Sequence, residues 1–374
     1  MKYIEKNLSK ISKIGQGCMG IGGGFSRDLS QFENHKAALE LGIELGMTFL
    51  DTAEVYAAGY SEEIVGQVAL GKRNKLFIAT KFSPENHHFD AVIQSAERSL
   101  QRLRTDYIDL YQIHWPNPTV PIEETIRAMQ KLVDSGMVRY IGLCNFSKRE
   151  MTAAQAALGQ SKIFSNQVEY NLFDRFSESS ILPFCENEGA ILIAYSPLDK
   201  GRTSDDDTKR KVLEDLAEKY EKTPSQIALN WLTSHPSIVA IPKSVNFQHI
   251  RQNAAALDFE LQAKDKALID RICSKDPDLI SPNHIRVSCE GEDNRKVYQT
   301  REEAMANTLG MSPSPLELAE FIKEGEAIKP VRLIPSKNPH NKYAYDLIEG
   351  RLRYWAWVIA FDGKKPIPSY IRSA

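Results

Sequence analysis

Short, nearly continuous apolar runs alternate with amphipathic segments from residue 13 to about residue 256. Continuous apolar runs of this length are typical of parallel strands that are buried on both faces. The pattern predicts eight strands: Lys13–Met19, Thr48–Thr52, Leu76–Lys81, Ile108–His114, Tyr140–Asn145, Phe164–Glu169, Ile191–Ser196 and Ile238–Pro242.

The segments between these strands predict helices, most clearly over residues 34–46, 121–136 and 224–234. Pro121 suits a first helical turn, and Gly46 suits a left-handed helix end. Eight strand-then-helix units predict an α/β fold, a closed (β/α)₈ TIM barrel. An open doubly wound sheet is the alternative. It is disfavoured because no GxGxxG motif opens a helix after an early strand.

The alternation stops after about Asp258. We predict a barrel domain over residues 1–274, a polar linker over 275–283 and a small α+β domain over 284–374. Within the small domain the pattern predicts a helix at Pro315–Glu324, a strand at Val331–Pro335, a strand and helix within Tyr343–Phe361, and a last strand after Pro366.

Composition adds few constraints beyond these. A length of 374 residues with 42% hydrophobic residues supports one large and one small core, and a net charge of −2 gives no reason to expect nucleic acid or a membrane surface as a partner. The five cysteines form neither a CxxC pair nor a zinc spacing, so we expect reduced thiols, no metal site and a cytoplasmic protein. The N-terminus has no apolar run typical of a signal peptide, and no stretch approaches the ~20 apolar residues of a membrane helix.

Four polar residues fall where predicted strands end, which is the face of a barrel that carries chemistry. Asp51, Lys81 and His114 each end an apolar strand, and Tyr56 follows five residues after Asp51. For any one of them alone, a rim charge satisfied by its neighbours is an equally good interpretation. Burial of such groups is costly unless they pair, so the four together predict an active site.

These four residue types fit the reduction of a carbonyl group, which needs a hydride on carbon and a proton on oxygen. A phenol has a pKa of ~10, and a neighbouring ammonium favours the phenolate and lowers that pKa. We therefore expect Tyr56 to donate the proton and Lys81 to lower its pKa. We expect Asp51 to keep Lys81 charged and His114 to hold the carbonyl oxygen.

The segments DTAEVY, IATK, LYQIHW, RYIGLCNFS, NQVEYN, AYSPL and IPKS resemble the aldo-keto reductase superfamily over residues 10–260, in the same order and at the same spacing. The resemblance implies a catalytic tetrad of Asp51, Tyr56, Lys81 and His114, with Tyr56 as general acid. It also implies a nicotinamide cofactor. The implied cofactor-binding residues are Cys144, Asn145, Gln167, Tyr195, Ser196, Leu198, Lys243, Ser244, His249, Gln252 and Asn253.

Two of these positions depart from the family pattern. Cys144 replaces the usual Ser, which weakens one hydrogen bond to the nicotinamide carboxamide. His249 stands where the family often has an Arg on the 2′-phosphate, and His cannot match the fork of Arg. Lys243 and Ser244 are retained, so we predict NADPH, with NADH as a possible second cofactor. Phe25 is a candidate for the substrate rim, and Trp115 either lines the pocket or packs.

Residues 284–374 resemble the ParB/sulfiredoxin-like superfamily, chiefly through Glu349-Gly350-Arg351-Leu352-Arg353-Tyr354. The resemblance implies a phosphate cradle at Gly350, Arg351 and Arg353, where a glycine turn opens a helix. A solvated basic helix start is the plainer alternative. The box lacks the catalytic cysteine of sulfiredoxin, and no helix-turn-helix segment follows it, so the DNA-reading part of ParB is missing. No basic stripe extends beyond the box, so a mononucleotide is a better candidate partner than nucleic acid.

The leading interpretation is an NADPH-dependent enzyme that reversibly reduces an aldehyde or ketone, with a small-molecule carbonyl as substrate. The alternative is a non-catalytic redox-sensing scaffold that binds NADP(H) and signals through its C-terminal domain. A nucleotide-dependent activity housed in that domain is a third possibility.

Overall fold

The computed structural model describes residues 1–6, 9–201, 207–273, 277–287, 297–311, 313–336 and 343–372. The chain divides into two compact units, Met1–Ser274 and Lys275–Ala374. Among the described residues, no helix has the length and apolar character needed to cross a membrane.

The first unit is the predicted (β/α)₈ barrel. An antiparallel hairpin of β1 (Tyr3–Lys6) and β2 (Ser9–Ser12) precedes it. Eight parallel strands then follow one another around the sheet in sequence order. They are β3 (Gln16–Gly17), β4 (Phe49–Asp51), β5 (Phe77–Phe82), β6 (Ile108–Ile113), β7 (Val138–Cys144), β8 (Ser165–Glu169), β9 (Ile191–Tyr195) and β10 (Ile238–Ala240).

The barrel closes between β3 and β10. Ile14 forms a parallel bridge with Ala240, the Gly15 amide donates to the Ala240 carbonyl at 2.8 Å, and the Gly17 amide donates to the Pro242 carbonyl at 3.2 Å. All eight predicted strands are present, which excludes the doubly wound alternative. The first is much shorter than predicted, because only Gln16–Gly17 of the run Lys13–Met19 pairs regularly with the next strand.

Ten helices of this unit lie in the described residues. They are α1 (Phe32–Glu44), α2 (Tyr60–Ala69), α3 (Phe89–Leu103), α4 (Ile122–Asp134), α5 (Lys148–Leu158), α6 (Ile181–Glu188), α7 (Asp207–Tyr220), α8 (Pro224–Thr233), α9 (Phe247–Ala254) and α10 (Ala263–Cys273). The three clearest predicted helices correspond to α1, α4 and α8. Thr223 caps α8 reciprocally with Gln226, and Pro224 occupies the first turn, so the local sequence fixes where this helix begins.

Apolar side chains fill the barrel interior and its amino-terminal end. Ile11 of the β1–β2 hairpin packs in one buried cluster with Phe49, Phe77 and Phe164, which lie at or near the starts of barrel strands. The hairpin therefore covers this end of the barrel, and the polar residues at the opposite ends of the strands remain to line a site.

The second unit contains a five-stranded sheet with strand order β11-β15-β13-β14-β12. Its strands are β11 (Asp278–Ile280), β12 (Ile285–Val287), β13 (Val331–Pro335), β14 (Tyr345–Glu349) and β15 (Ile367–Ile371), and its described helices are α11 (Arg301–Met305), α12 (Pro315–Lys323) and α13 (Arg351–Ala360). Tyr354, Trp355 and Trp357 of α13 are buried in its core.

The predicted linker over residues 275–283 is wrong in part. Residues Asp278–Ile280 pair antiparallel with Ile367–Ser369 and form an edge of the sheet. An edge strand pairs on one side only, so it tolerates the polar, proline-containing sequence that indicated a linker. Residues 275 and 276 lie outside the described residues.

Candidate active site

A cavity of about 880 Å³ opens where the barrel strands end. Asp51, Tyr56 and His114 line it, together with all eleven residues predicted to bind the cofactor. Lys81 is fully buried directly behind the wall. The structure therefore brings the predicted site residues of the first unit to one place.

The ammonium group of Lys81 lies at the centre of the four predicted catalytic residues. Its Nζ donates to Asp51 Oδ1 at 2.7 Å and to the Thr52 carbonyl at 2.8 Å, and it lies 3.4 Å from Tyr56 Oη. The Tyr56 and His114 rings meet edge to face, with centroids 5.7 Å apart. A phenol thus stands between a buried ammonium and the open cavity.

Two glutamines hold the second oxygen of the Asp51 carboxylate. Gln167 Nε2 donates to Asp51 Oδ2 at 2.7 Å, and Gln112 Nε2 donates to the same oxygen at 3.3 Å. Gln112 was missed at the sequence level, although a polar residue inside the apolar strand sequence LYQIH is a visible signal. These bonds orient the carboxylate toward Lys81 without adding charge.

Burial and the neighbouring charges together set the ionisation of this cluster. Burial alone would lower the pKa of Lys81, but Asp51 and Tyr56 more than offset this and the pKa is raised, so the ammonium keeps its charge as expected. Burial, and then the charge of Lys81, lowers the pKa of His114 to about 2, so the imidazole is neutral.

The expected direction of the Tyr56 shift is wrong. Burial raises the pKa of Tyr56 to about 12, although Lys81 acts to lower it. The penalty for burying a phenolate in this pocket exceeds its attraction to one ammonium that Asp51 already neutralises. Tyr56 is therefore a phenol that holds its proton throughout the neutral range.

A left-handed turn follows Tyr56 immediately. Ala57 and Ala58 have φ angles of 50° and 52°, and Gly59 has φ 86° before α2 begins. Left-handed backbone costs a non-glycine residue roughly 1–2 kcal/mol. The Ala57 amide donates to the Gly24 carbonyl at 2.7 Å, and a Cβ at Gly59 would lie 2.7 Å from Arg102 Cδ. Surrounding contacts thus hold an energetically unfavourable turn next to the Tyr56 phenol.

The residues predicted to hold the nicotinamide contact one another in the cavity wall. Asn145, in a left-handed conformation (φ 63°), donates from Nδ2 to the His114 carbonyl at 3.0 Å and accepts from Tyr195 Oη at 3.0 Å. The Cys144 thiol lies 3.9 Å from Gln167 Oε1. These amides and the phenol ring of Tyr195 are therefore held in place by the protein itself.

The residues predicted for the pyrophosphate and adenosine end lie along the same cavity. Lys243 and His249 are exposed, whereas Asn253 is buried in α9. Asn246 caps α9 by accepting from the Gln248 and His249 amides at 2.9 and 3.1 Å, which fixes the segment after β10. The remaining predicted residues lining this part of the cavity are Ser196, Leu198, Ser244 and Gln252.

Apolar side chains line the cavity near Tyr56 and His114. Trp115 stacks on His114 with ring centroids 3.6 Å apart and an interplanar angle of 18°, and it also lines the cavity. The two alternatives for Trp115, lining and packing, are therefore both realised. Phe25 lines the cavity as predicted, and so does Met19.

In the second unit, Gly350 caps α13 with φ 93° and Arg351 is the first helical residue, as the sequence predicted. Arg353 differs from expectation, because its guanidinium donates to the Lys329 carbonyl at 2.7 Å and lies 3.7 Å from a Glu349 oxygen. The Nε of Arg351 is buried and has no hydrogen-bond partner among the described residues. Arg353 thus binds main chain, which leaves Arg351 as the better candidate for a ligand.

Comparison with known proteins adds to this picture. The sequence model of the Aldo/keto reductase family matches residues 13–274. Methylglyoxal reductase YeaE of Escherichia coli is 38% identical over 262 residues, which cover 70% of this chain and 90% of that protein.

Two solved structures resemble the first unit closely. The thermostable aldo-keto reductase Tm1743 in complex with the inhibitor epalrestat has a TM-score of 0.70 and 39% identity, covering 72% of this chain and 99% of that one. An aldo/keto reductase from Klebsiella pneumoniae in complex with NADP and acetate has a TM-score of 0.65 and 36% identity, covering 71% and 92%.

Proposed function

The chain belongs to the aldo/keto reductase family, and on that premise we propose that it is an NADPH-dependent reductase that converts an aldehyde or ketone reversibly into an alcohol. The observation that carries the proposal is the position of the Lys81 ammonium. It lies 2.7 Å from Asp51 and 3.4 Å from Tyr56 Oη, behind a cavity that Tyr56 and His114 line.

In this proposal Tyr56 donates the proton. NADPH, when bound, supplies the hydride that goes to the carbonyl carbon. The carbonyl π bond breaks toward oxygen, and the phenolic O–H of Tyr56 transfers its proton to that oxygen. An alkoxide is a stronger base than a phenolate, so the transfer is favourable even from a phenol whose pKa is about 12.

The neighbouring residues support the donor in different ways. Lys81 stabilises the phenolate that remains after transfer, and Asp51 keeps Lys81 protonated. His114 is neutral, so it is a hydrogen-bond donor to the carbonyl oxygen and not a competing acid. Its Nδ1 is buried without a partner among the described residues, which is consistent with a proton on the other ring nitrogen.

The cavity wall fits a nicotinamide dinucleotide. We propose that Asn145 and Gln167 hold the carboxamide, that Tyr195 stacks on the ring, and that Cys144 contributes a weak hydrogen bond. Ser196 and Leu198 would follow the pyrophosphate. Amide and hydroxyl groups at one end and an ammonium at the other match the neutral ring and the anionic phosphates of such a molecule, and a related structure contains NADP.

At the adenosine end we propose that Lys243, Ser244, His249, Gln252 and Asn253 bind the cofactor. An ammonium and an exposed imidazole favour a 2′-phosphate and hence NADPH over NADH. His249 lacks the planar fork of Arg, so the preference should be modest.

For the carbonyl substrate we propose a small aldehyde or ketone. A relative is named a methylglyoxal reductase, and the substrate end of the cavity is formed by Met19, Phe25 and Trp115, which offer apolar contact. A carbonyl panel that includes methylglyoxal, assayed by NADPH absorbance, tests the function. Tight NADPH binding with no turnover of any carbonyl would instead favour the redox-sensing scaffold.

For the second unit we propose a ParB/sulfiredoxin-like fold that binds a phosphate-bearing ligand, such as a nucleoside triphosphate, through Gly350 and Arg351. Support comes from the left-handed Gly350 at the start of α13 and from the unpaired, buried Nε of Arg351. The role proposed for Arg353 is the weaker part, since it contacts the Lys329 carbonyl.

Calorimetry of the full chain with ATP and magnesium tests this site. Arg351→Ala should abolish the heat of binding. Arg301→Ala is the matched control, because Arg301 is the first residue of α11 and pairs with Asp362. If Arg351→Ala retains the heat of binding, or if the parent protein shows none, the proposed ligand site at the start of α13 is wrong.

A further inference from the structure

The segment that follows β5, residues 83–88, contacts both loops that carry the proposed catalytic groups, although none of its residues lines the cavity. The Ser83 amide and Asn86 Nδ2 donate to Glu54 Oε1 at 2.7 and 2.8 Å. Glu54 lies two residues before Tyr56. One side of the segment is therefore attached to the loop of the proposed acid.

His87 attaches the other side of the segment to the loop after β6. His87 as a whole residue is 1% exposed, and its Nε2 lies 3.1 Å from the Trp115 carbonyl oxygen. A carbonyl only accepts, so Nε2 carries the proton and donates. The His87 carbonyl accepts in turn from Thr125 Oγ1 at 2.8 Å, which fixes the backbone that carries the ring.

The second nitrogen of His87 has no such partner. Nδ1 is buried and unpaired among the described residues, and burial lowers the pKa of His87 to about 4, so the ring is neutral near pH 7. A buried polar atom without a hydrogen bond is costly. An apolar side chain would fill this space without leaving a polar atom unpaired. What the imidazole adds is therefore its single hydrogen bond to the Trp115 carbonyl.

Trp115 needs such a bond because its ring is otherwise only partly enclosed. Trp115 as a whole residue is 41% exposed. Its ring stacks on His114 with centroids 3.6 Å apart and lines the cavity next to the proposed carbonyl site. Stacking fixes the orientation of the indole plane, but it leaves the indole free to slide across the His114 imidazole. A fixed carbonyl on the same residue restricts the backbone from which the ring projects.

We propose that His87 is a positioning residue for substrate binding, which holds the Trp115 backbone so that the indole forms a fixed wall against His114. The inference rests on the proposed function, since it concerns the carbonyl end of the same site. His87 contacts neither substrate nor cofactor and acts through Trp115.

Three substitutions separate the hydrogen bond from the volume of the ring. Gln places its Nε2 the same number of bonds from Cβ as the Nε2 of His, whereas the nitrogen of Asn corresponds to Nδ1. His87→Gln should therefore keep the bond to Trp115, and His87→Asn and His87→Leu should lose it. We expect KM for the carbonyl to rise about three- to tenfold in His87→Asn and His87→Leu. In His87→Gln, KM should stay within about twofold of the parent value.

Two further kinetic readouts distinguish positioning from general damage. The Kd for NADPH should be unchanged in all three variants, and kcat should fall by less than KM rises. Equal KM values in His87→Leu and the parent protein would overturn the proposal, and so would a KM in His87→Gln as high as that in His87→Leu.

Tryptophan fluorescence tests the same inference without turnover. The chain has four tryptophans, and Trp231, Trp355 and Trp357 are at most 8% exposed, so iodide should quench mainly Trp115. Trp115→Phe identifies that component. Iodide quenching should be steeper in His87→Leu than in His87→Gln or the parent protein, and equal slopes would overturn the proposal. If the parent protein reduces no carbonyl, the proposed function is wrong, and the quenching comparison still decides whether His87 fixes Trp115.

Discussion

Replacement of Tyr56 by Phe removes one oxygen atom from the site and little else. Tyr56 Oη lies 3.4 Å from Lys81 Nζ, at the long limit of a hydrogen bond. Lys81 keeps its shorter bonds to Asp51 and the Thr52 carbonyl. We therefore expect the free energy of unfolding to change by less than about 1 kcal/mol.

The expected loss in catalysis is much larger than the loss in stability. General acid catalysis contributes ~10²–10⁴-fold, so kcat for carbonyl reduction should fall by that factor in Tyr56→Phe. This corresponds to about 3–5 kcal/mol of transition-state stabilisation. The cofactor end of the cavity is unchanged, so the Kd for NADPH should stay within about twofold.

Tyr60→Phe is the matched control for this experiment. Tyr60 lies in the next turn of the same segment, begins α2, and does not line the cavity. NADPH oxidation with an accepted carbonyl gives kcat and KM for both variants, and NADPH fluorescence gives Kd. A parental kcat in Tyr56→Phe, or an equal fall in Tyr60→Phe, would show that the phenol of Tyr56 is not the acid.

Three further predictions concern pH, cofactor choice and backbone strain. Because Tyr56 keeps its proton up to a pKa of about 12 and His114 stays neutral down to a pKa of about 2, kcat/KM for the carbonyl at saturating NADPH should be flat from about pH 5 to about pH 9. A limb within this range would contradict a neutral His114 beside a protonated Tyr56. His249→Arg should tighten NADPH about tenfold in a titration and leave NADH unchanged, whereas equal changes for both cofactors would place His249 away from the 2′-phosphate. Ala58 has φ 52° and an exposed side chain, so Ala58→Gly should raise the free energy of unfolding by about 1 kcal/mol in denaturant titrations, and a decrease would show that its Cβ makes a stabilising contact.

The sequence was most informative where chemistry is tied to position along a strand. Asp51, Lys81 and His114 could be placed together because parallel barrel strands bring their carboxyl ends to one face. The residues that line the cavity after β7, β8, β9 and β10 were instead implied by the resemblance to the aldo-keto reductase superfamily. Local signals also placed α8 and α13, since a capping threonine and a left-handed glycine act within a few residues.

What the sequence did not predict depends on distance and burial in three dimensions. The direction of the Tyr56 pKa shift follows from how far the phenol is removed from solvent, and a sequence motif does not indicate that burial. Gln112 and Gln167 lie on different strands and both donate to the Asp51 carboxylate. The Arg353 guanidinium donates to a carbonyl 24 residues away in the sequence. The β1–β2 hairpin was missed because its strands are short and polar, and its burial of Ile11 depends on the barrel beneath it.

The barrel closes between β3 and β10, two of its shortest strands, and this junction is here called the seam. The cavity lies across the seam. Gly17 and Met19 line the cavity from one side of the seam, and Pro242 and Lys243 line it from the other. Local opening starts where few backbone hydrogen bonds resist it, so the Gly15 and Gly17 amide hydrogens should exchange with solvent before those of β5 and β6. A ligand that contacts both sides binds only when the seam is closed. Ligand binding and seam closure are then thermodynamically linked, and each stabilises the other by the same free energy.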